Sequence, residues 1–343
     1  LIGGAFAAAL LVTATIRFRR RSISRLNLII SWVIGLAVAL LAAWPDLFNP
    51  LFGLFNFQRG GGQRLLGVVL IANLIQLAMV LRNLGQSDLV SRDMRLLIEA
   101  LGMQSFDDAQ AATLPDGDRI VVVLPAHNEA QNVGAVVRAM PKHVDGLPVV
   151  TLVIDDASTD DTSRVAEEAG ALVARLPVRR GGGLALRVGY EIALKLGGVV
   201  IASLDADGQH LPEELPTVVA PILRGEADMV QGSRILGAFE KESHLRHVGI
   251  RFFSKLVSLM TGVRVTDVSN GYRASRMETL RRLVLQQDQF WTSEILIEGL
   301  RQHARIVEVP VTVRARLAGE SKKPKNLKYG WNFTKAIVQT WLR

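Results

Sequence analysis

From Arg119 onward, four short apolar runs each end in a knot of polar residues, and this repetition constrains the fold more than any other feature. The runs are IVVVLP (Ile120 to Pro125), VVTLVID (Val149 to Asp155), the stretch Val199 to Leu204, and DMVQGS (Asp228 to Ser233). Helix-period segments lie at Asn132 to Met140 and Thr159 to Ala169; ALVAR, a Gly-rich turn and a helix through Leu196 continue the series. Strands alternating with helices predict an α/β domain on a mainly parallel sheet. In such sheets ligands bind beyond the carboxyl ends of the strands. The polar knots fall there: PAHNE (Pro125 to Glu129), DDAST (Asp155 to Thr159), DADGQH, and GSR (Gly232 to Arg234). Together they are expected to line one crevice offering carboxylates for a base, a ribose and a metal, and an arginine for phosphate. Taken singly, each also reads as a turn or a helix cap, Ser158 or Thr159 for instance capping the next helix.

The third knot carries the most chemistry. In VVIASLDADGQHLPEEL, Asp205 and Asp207 stand two apart, and on an extended segment such side chains share a face. Two hard oxygen donors at the exposed end of a buried strand suit a divalent cation that carries phosphate oxygens, with Gln209 as a third oxygen. Pro212, Glu213 and Glu214 then suit a first helical turn. An EF-hand is excluded, because Gly208 stands fourth and Pro216 occupies the twelfth position, where Glu belongs. A phosphatase-like DxDx(T/V) pattern fits poorly, with Gln209 in the last place. An acidic turn that merely caps a helix is the remaining alternative.

Composition divides the 343 residues unevenly, with apolar residues concentrated before Leu84. Three apolar runs, 1–16, 28–44 and 65–81, approach the length needed to cross a bilayer. Arg17, Arg19, Arg20, Arg21 and Arg25 lie between the first two, which places that loop and everything after Leu84 in the cytoplasm. Asn73 and Gln76 in the third run are expected to bond to neighbouring helices. The chain thus divides into a membrane region (1–84), a linker with a juxtamembrane helix (85–118), the α/β domain (119–320) and an amphipathic segment (321–343). The net charge of +8 lies beside apolar runs and only three Tyr are present, which argues for anionic lipid or phosphate and against nucleic acid. Zero cysteine excludes disulfides, thiolate metal sites and Cys nucleophiles.

The motifs VVLPAHNEAQNV, VIDDASTDDT, GGGLALRVGY, LDADGQHLPEEL, QGSR, DVSNGYRA and VPVTVRARLAGESK stand in the order of one known family. From Arg119 to about Tyr329 the sequence resembles the family 2 glycosyltransferases of the GT-A fold, within them the dolichol-phosphate mannose synthase type. The resemblance implies a Rossmann-like nucleotide-diphospho-sugar transferase domain, a Mg2+ or Mn2+ cofactor, and inverting transfer of one sugar to a polyprenyl phosphate. It also implies that Pro125, His127, Glu129 and Asp156 hold the nucleoside, that Asp205 lies by ribose and metal, and that Asp207 with Gln209 ligates the cation. Arg234 grips the diphosphate, while Asp267 and Arg273 face the acceptor phosphate. One departure stands out: where the family has GKG, this chain has Gly181, Gly182 and Gly183, leaving Arg179 or Arg180 to replace the lysine's charge.

The chemistry follows from charge. Breaking a sugar–diphosphate bond develops negative charge that a metal and Arg234 can stabilise. An acceptor phosphate is already largely ionised at neutral pH, so a strong general base is unnecessary. From Asn326 to Leu342, Leu327, Trp331, Phe333, Ile337, Val338, Trp341 and Leu342 fall within one half of a helical wheel. With Lys322, Lys323 and Lys325 before it, this suits a helix in the bilayer interface; the same moment also serves a helix docked on its own domain. The expected protein is a multi-pass enzyme of the cell (plasma) membrane, with a nucleotide-sugar donor, a polyprenyl-phosphate acceptor and the lipid bilayer as partners and a homo-oligomer left open. A processive polysaccharide synthase is the nearest rival, although its QxxRW motif is replaced here by QDQFW at Gln287 to Trp291. An inactive scaffold module is the second, and a part in moving lipid-linked sugars across the membrane the third.

Overall fold

A computed structural model describes residues 2–19, 25–44, 62–107, 111–112, 114–240, 244–316, 318 and 327–342. The chain forms two compact units, Leu1–Arg92 and Asp93–Arg343. In the first, helices α1 (Ile2–Arg19) and α2 (Arg25–Ala43) pack together. Small residues make the contact: Ala7 and Ala14 are buried, a Cβ on Gly35 would lie 2.7 Å from Leu11, and Trp32 Nε1 donates to Thr15 Oγ1 at 3.2 Å. Large side chains point the other way, with Val12, Ile29, Val33 and Leu36 exposed.

The three expected spans are not found as such. Among the described residues no helix is long and apolar enough to cross a membrane. The third run and the expected juxtamembrane helix are one continuous element, α3 (Gly62–Gln104), of 43 residues. No break falls at Leu84; a single Gly85 inside a helix costs only about 1 kcal/mol. Arg20, Arg21 and the 45–61 part of the expected external loop lie outside the described residues.

In the second unit an eight-stranded sheet carries β1 (Arg119–Ala126), β2 (His143–Val144), β3 (Leu147–Asp155), β4 (Leu172–Arg175), β5 (Gly198–Ser203), β6 (Met229–Phe239), β7 (Arg273–Arg276) and β8 (Ile306–Val313). Its order is β2-β3-β1-β5-β7-β6-β8, with β4 also paired to β3. The β1–β3, β1–β5, β3–β4 and β6–β8 pairs are parallel, whereas β7 runs antiparallel to both β5 and β6. The helices are α4 (Val133–Ala139), α5 (Thr162–Glu168), α6 (Gly182–Lys195), α7 (Leu215–Leu223), α8 (His244–Thr261), α9 (Met277–Leu280), α10 (Trp291–Arg301) and α11 (Leu327–Leu342).

Alternation along β1 explains why its sequence is apolar at every position. Ile120, Val122 and Leu124 enter one core with α4 and α7, while Val121 and Val123 enter a second with α6. Side chains two apart share a face, so a strand covered on both sides has no polar row. β3 and β5 divide likewise, Val153 against Ile154 and Ala202 against Ile201.

A third core joins α8, α10 and α11 through Val257, Leu296, Phe333, Ala336 and Ile337. The apolar face that suits a bilayer interface or a docked helix is split, with Phe333 and Ile337 buried in protein and Trp331 and Leu342 exposed. Residues 319–326, which include Lys322, Lys323 and Lys325, lie outside the described set. Ile337→Ala removes a fully buried side chain from this core. It is expected to cost about 2–5 kcal/mol in denaturant unfolding followed by tryptophan fluorescence; a loss below about 0.5 kcal/mol would mean that α11 is not held by its own domain.

Candidate active site

Parallel strands bring their ends to the carboxyl edge of a sheet, and an antiparallel strand brings its start. Arg273, first in β7, accordingly pairs with Ser203 at the end of β5 and with Gln231 on β6. The four polar knots and the DVSNGYRA turn thus meet at one edge.

At the ends of β1 and β3 the first two knots are bound to each other. The His127 ring nitrogen Nδ1 lies 2.8 Å from the Asp156 carbonyl oxygen. Asn128 N–H donates to Ser158 Oγ at 2.9 Å, and Thr159 N–H to Asn128 Oδ1 at 2.8 Å. Ser158 and Thr159 therefore tie loop to loop rather than cap α5, where Asp160 Oδ1 accepts Thr162 N–H at 3.1 Å. Asn128 and Ala157 hold φ of 52° and 53°, a region that side chains other than glycine rarely adopt and that is stored where surrounding contacts overdetermine it. Pro125, half-buried, sits at the close of β1 opposite Ile154.

Asp156 is buried, and its two oxygens accept the backbone N–H groups of Arg180 (2.8 Å) and Gly181 (2.7 Å). Burial raises its carboxyl above the ordinary range despite these donors. The glycine turn itself is packed under residues 287–291. A Cβ on Gly183 would lie 2.0 Å from the Gln287 carbonyl, and one on Gly182 would lie 2.9 Å from Trp291 Nε1. A side chain at either position would require Trp291 or the 287–288 backbone to move. Of the two substitutes, Arg180 pairs with Asp288 at 3.1 Å and Arg179 is exposed. Both line an open pocket of about 460 Å³ with Gln286 to Phe290.

At the third knot β5 ends at Ser203, and Asp205 to Gly208 form a turn closed by Gly208 at φ 75°. The carboxylates of Asp205 and Asp207 are thus brought near by a turn, not by the two-residue period of a strand. Burial and then the charge of Asp205 hold the Asp207 carboxyl above its ordinary value. Gln209 N–H donates to Asp207 Oδ1 at 3.1 Å, and its side-chain amide donates to the Arg314 carbonyl at 3.1 Å, tying this turn to the end of β8.

His210 and Asn270 complete a relay that the residue types alone do not reveal. Asp205 N–H donates to His210 Nδ1 at 3.4 Å, so Nε2 carries the proton and donates to Asn270 Oδ1 at 2.9 Å. Burial lowers the His210 pKa and keeps the ring neutral. Asn270 Nδ2 reaches Asp267 Oδ2 at 3.4 Å, and that oxygen accepts Arg234 Nε at 2.7 Å. Glu308 on β8 accepts the N–H groups of Thr266 and Asp267 at 2.9 and 3.1 Å, which fixes the turn.

Asp267 and Arg273, the pair expected to face the acceptor phosphate, are both buried. Asp267 is fully buried and committed to Arg234. Arg273 donates to the carbonyls of Thr292 (3.0 Å) and Asn270 (2.7 Å) and lies over the Trp291 ring at 5.0 Å. Burial brings its pKa down to about 10. Arg273 therefore braces the floor of the site. A cation not singled out from the sequence is Arg316, whose guanidinium bonds to Glu129 Oε1 and lies 3.9 Å from Asp207 Oδ2. Glu129 is held on its other oxygen by Asn132 at 2.8 Å. Arg316 was legible only as part of the VPVTVRARLAGESK motif, because nothing in a sequence tells which strand end it meets.

Among the described residues no group of three or more His, Cys, Asp or Glu is arranged around one point. Two mutually repelling carboxylates nonetheless fit Mg2+ or Mn2+, which are held by one or two carboxylates plus substrate phosphates. The pKa of Asp207 is higher in the folded than in the unfolded protein, so the folded state holds the proton more tightly. Its contribution to stability falls as pH rises through the raised value, and a bound cation relieves the cost. Asp207→Asn is expected to raise the Tm of the cation-free protein at neutral pH and to abolish the Tm gain on adding Mn2+. An undiminished gain in that variant would place the cation elsewhere.

The profile of glycosyl transferase family 2 matches residues 121–284. An undecaprenyl-phosphate mannosyltransferase of Micrococcus luteus is 32% identical over 215 residues, covering 60% of this chain and 87% of that protein. A dolichyl-phosphate hexose transferase of Haloferax volcanii is 32% identical over 210 residues, covering 60% and 86%. Among solved structures, glucosyl-3-phosphoglycerate synthase of Mycobacterium tuberculosis with Mn2+, uridine diphosphate and glucosyl-3-phosphoglycerate superposes with a TM-score of 0.53. It is 26% identical and covers 66% of this chain and 79% of that one. The same enzyme with Mg2+ and uridine diphosphate gives 0.52 at 25% identity with the same coverage. The curled mixed sheet is thus GT-A-like.

Proposed function

This chain belongs to glycosyl transferase family 2, and on that footing we propose that it moves one sugar from a nucleotide-diphosphate sugar to a polyprenyl phosphate, with inversion at the anomeric carbon. The observation that carries this reading is the Arg316 contact with both Glu129 and Asp207, which brings the donor-side loop and the acidic turn to one cation. The relatives that act on undecaprenyl and dolichyl phosphate support the acceptor class.

In this reading His127, Glu129 and Asp156 with Pro125 form the nucleoside end, and Asp205, Asp207 and Gln209 form the cation end. Bound Mg2+ or Mn2+ supplies Lewis-acid stabilisation to the leaving diphosphate. Arg234 takes up charge on the phosphates, its guanidinium fixed by Asp267 so that no reorganisation is needed as charge develops. Arg273 holds the Asn270 carbonyl and thereby the turn that carries Asp267. The acceptor phosphate attacks already ionised, and the residues need only position two anions.

Attachment to the membrane belongs to the same proposal. The pair α1 and α2 buries small residues and exposes large apolar ones, the reverse of a water-facing hairpin. Membrane spans there, a cytoplasmic catalytic domain and a homo-oligomer remain parts of the proposal. In the cysteine-free chain, Ser22→Cys, Asn56→Cys and Asn332→Cys are expected to react with an impermeant reagent from inside, outside and inside. Labelling of positions 22 and 332 from opposite sides would sink this topology.

Turnover is the direct check. Purified protein with undecaprenyl phosphate, Mn2+ and a panel of nucleotide sugars is expected to yield a lipid-linked sugar by mass spectrometry, and excess chelator to stop it. Arg234→Lys keeps the charge but loses the fork, and is expected to lower kcat/KM roughly tenfold to hundredfold. A near-normal rate would make Arg234 structural.

A further inference from the structure

Asp288 sits over the glycine turn with a cation on either oxygen. Arg180 Nη2 donates to Oδ2 at 3.1 Å, and Arg187 Nη2 donates to Oδ1 at 2.8 Å. Arg187 Nε in turn donates to Glu99 Oε1 at 2.6 Å, on the last part of α3. From Arg180 through Asp288 and Arg187 to Glu99 the charges alternate, and the side chains are 27%, 19%, 13% and 27% exposed in that order. Ion pairs shielded to this degree are screened far less by salt than pairs in open water. From Asp93 onward α3 belongs to the second compact unit, so all four residues lie in one body.

Helix geometry explains why they meet. Gly183 and Arg187 stand four apart on α6 and both face the backbone of residues 287–288. Gly183 N–H donates to the Asp288 carbonyl at 2.8 Å, and Arg187 Nη1 to the Gln287 carbonyl at 3.3 Å. Arg95 and Glu99 stand four apart on α3, and Arg95 donates to the Gln286 carbonyl while Glu99 takes Arg187. On α10, Glu294 accepts the N–H groups of Gln286 and Gln287, each at 2.8 Å. Helices α3, α6 and α10 thus clamp the segment that roofs the glycine turn.

The clamp ends at Arg180. Its backbone N–H is held by Asp156, and its side chain lines the open pocket of about 460 Å³ with Arg179 and residues 286–290. Its Nε is buried without a partner among the described residues, so the guanidinium keeps a donor that the protein itself does not use. Two arginines against one carboxylate suit the pocket to phosphate oxygens. We propose that Asp288, Arg187 and Glu99 are positioning residues for a nucleoside diphosphate, fixing the Arg180 guanidinium beside the glycine turn where a phosphate oxygen arrives. Glu99 acts at two removes. By sharing Arg187 it leaves the Asp288 carboxylate free to hold Arg180; without it, Arg187 draws that carboxylate to itself. A guanidinium already fixed binds an anion without first losing side-chain freedom. The nucleotide as ligand rests on the transferase reading, whereas the chain of ion pairs does not.

The sign of one effect separates positioning from bulk charge. Binding of uridine, guanosine, adenosine and thymidine diphosphates with Mn2+ is measured by calorimetry on the full chain. Asp288→Asn removes a negative charge from an anion site, which on charge alone would tighten binding. It is expected instead to weaken the diphosphate that binds about tenfold. Glu99→Gln, which does not line the pocket, is expected to weaken it about threefold. In an Arg180→Gln background neither substitution is expected to change affinity further, because both act through that guanidinium. If Asp288→Asn fails to fold, Glu99→Gln carries the same comparison. Unchanged or tighter binding in these variants, or losses that persist in full without Arg180, would overturn the inference and leave the transferase reading standing. Wild-type protein that binds none of the diphosphates would sink that reading and the inference with it.

Discussion

The ion pair between Arg234 and Asp267 holds the site together. Both side chains are almost wholly excluded from water, and the 2.7 Å bond from Nε joins β6 to the turn before β7. Removing either partner leaves a buried charge alone, which typically costs several kcal/mol. The pair endures because its neighbours satisfy it: Ser269 donates its N–H to Asp267 Oδ1, Asn270 reaches Oδ2, and Glu308 holds the Asp267 N–H from β8. Through Asn270 and a neutral His210 the same network reaches the backbone of Asp205. The acidic turn, Arg234 and the floor of the site are thus one hydrogen-bonded unit.

This unit stands at the edge of a sheet whose strands β1, β3 and β5 are covered on both faces. β1 sends alternate residues into two cores, so its position cannot shift by one residue without exchanging every contact. β7, inserted antiparallel between β5 and β6, lets its first residue rather than its last meet the ends of its neighbours. Arg273 is placed by that reversal, and the two terminal nitrogens of its guanidinium donate to backbone carbonyls while the group lies over the Trp291 face.

Carboxylates and guanidinium groups are balanced across the crevice in a way that suits polyanionic ligands. Asp207 and Asp156 are pushed toward protonation chiefly by burial, and Arg316 stands between Glu129 and Asp207. Trp291 and the Gln287 carbonyl pack closely against the glycine turn, and the positive charge beside it is that of Arg179 and Arg180, which line the open pocket there.

Much of this was legible in the sequence. The strands β1, β3, β4 and β5 and the start of β6 follow from apolar runs, because a strand buried on both faces has no other way to be written. The polar knots at Pro125, Asp155, Asp205 and Arg234 announced a crevice, because polar groups at strand ends must face solvent or a ligand. Local pattern does not carry pairing between distant segments. Which carbonyls hold Arg273 depends on β7 running against its neighbours. Whether Arg316 belongs to the site depends on where β8 ends beside the acidic turn, and the amphipathic 327–342 helix shows which of its apolar residues are core only once α8 and α10 are beside it. Residue types and spacing determined the strands β1, β3, β4 and β5, the start of β6 and the family; tertiary packing alone assigned each buried charge its partner, because an ion pair forms between whatever groups the fold brings within reach.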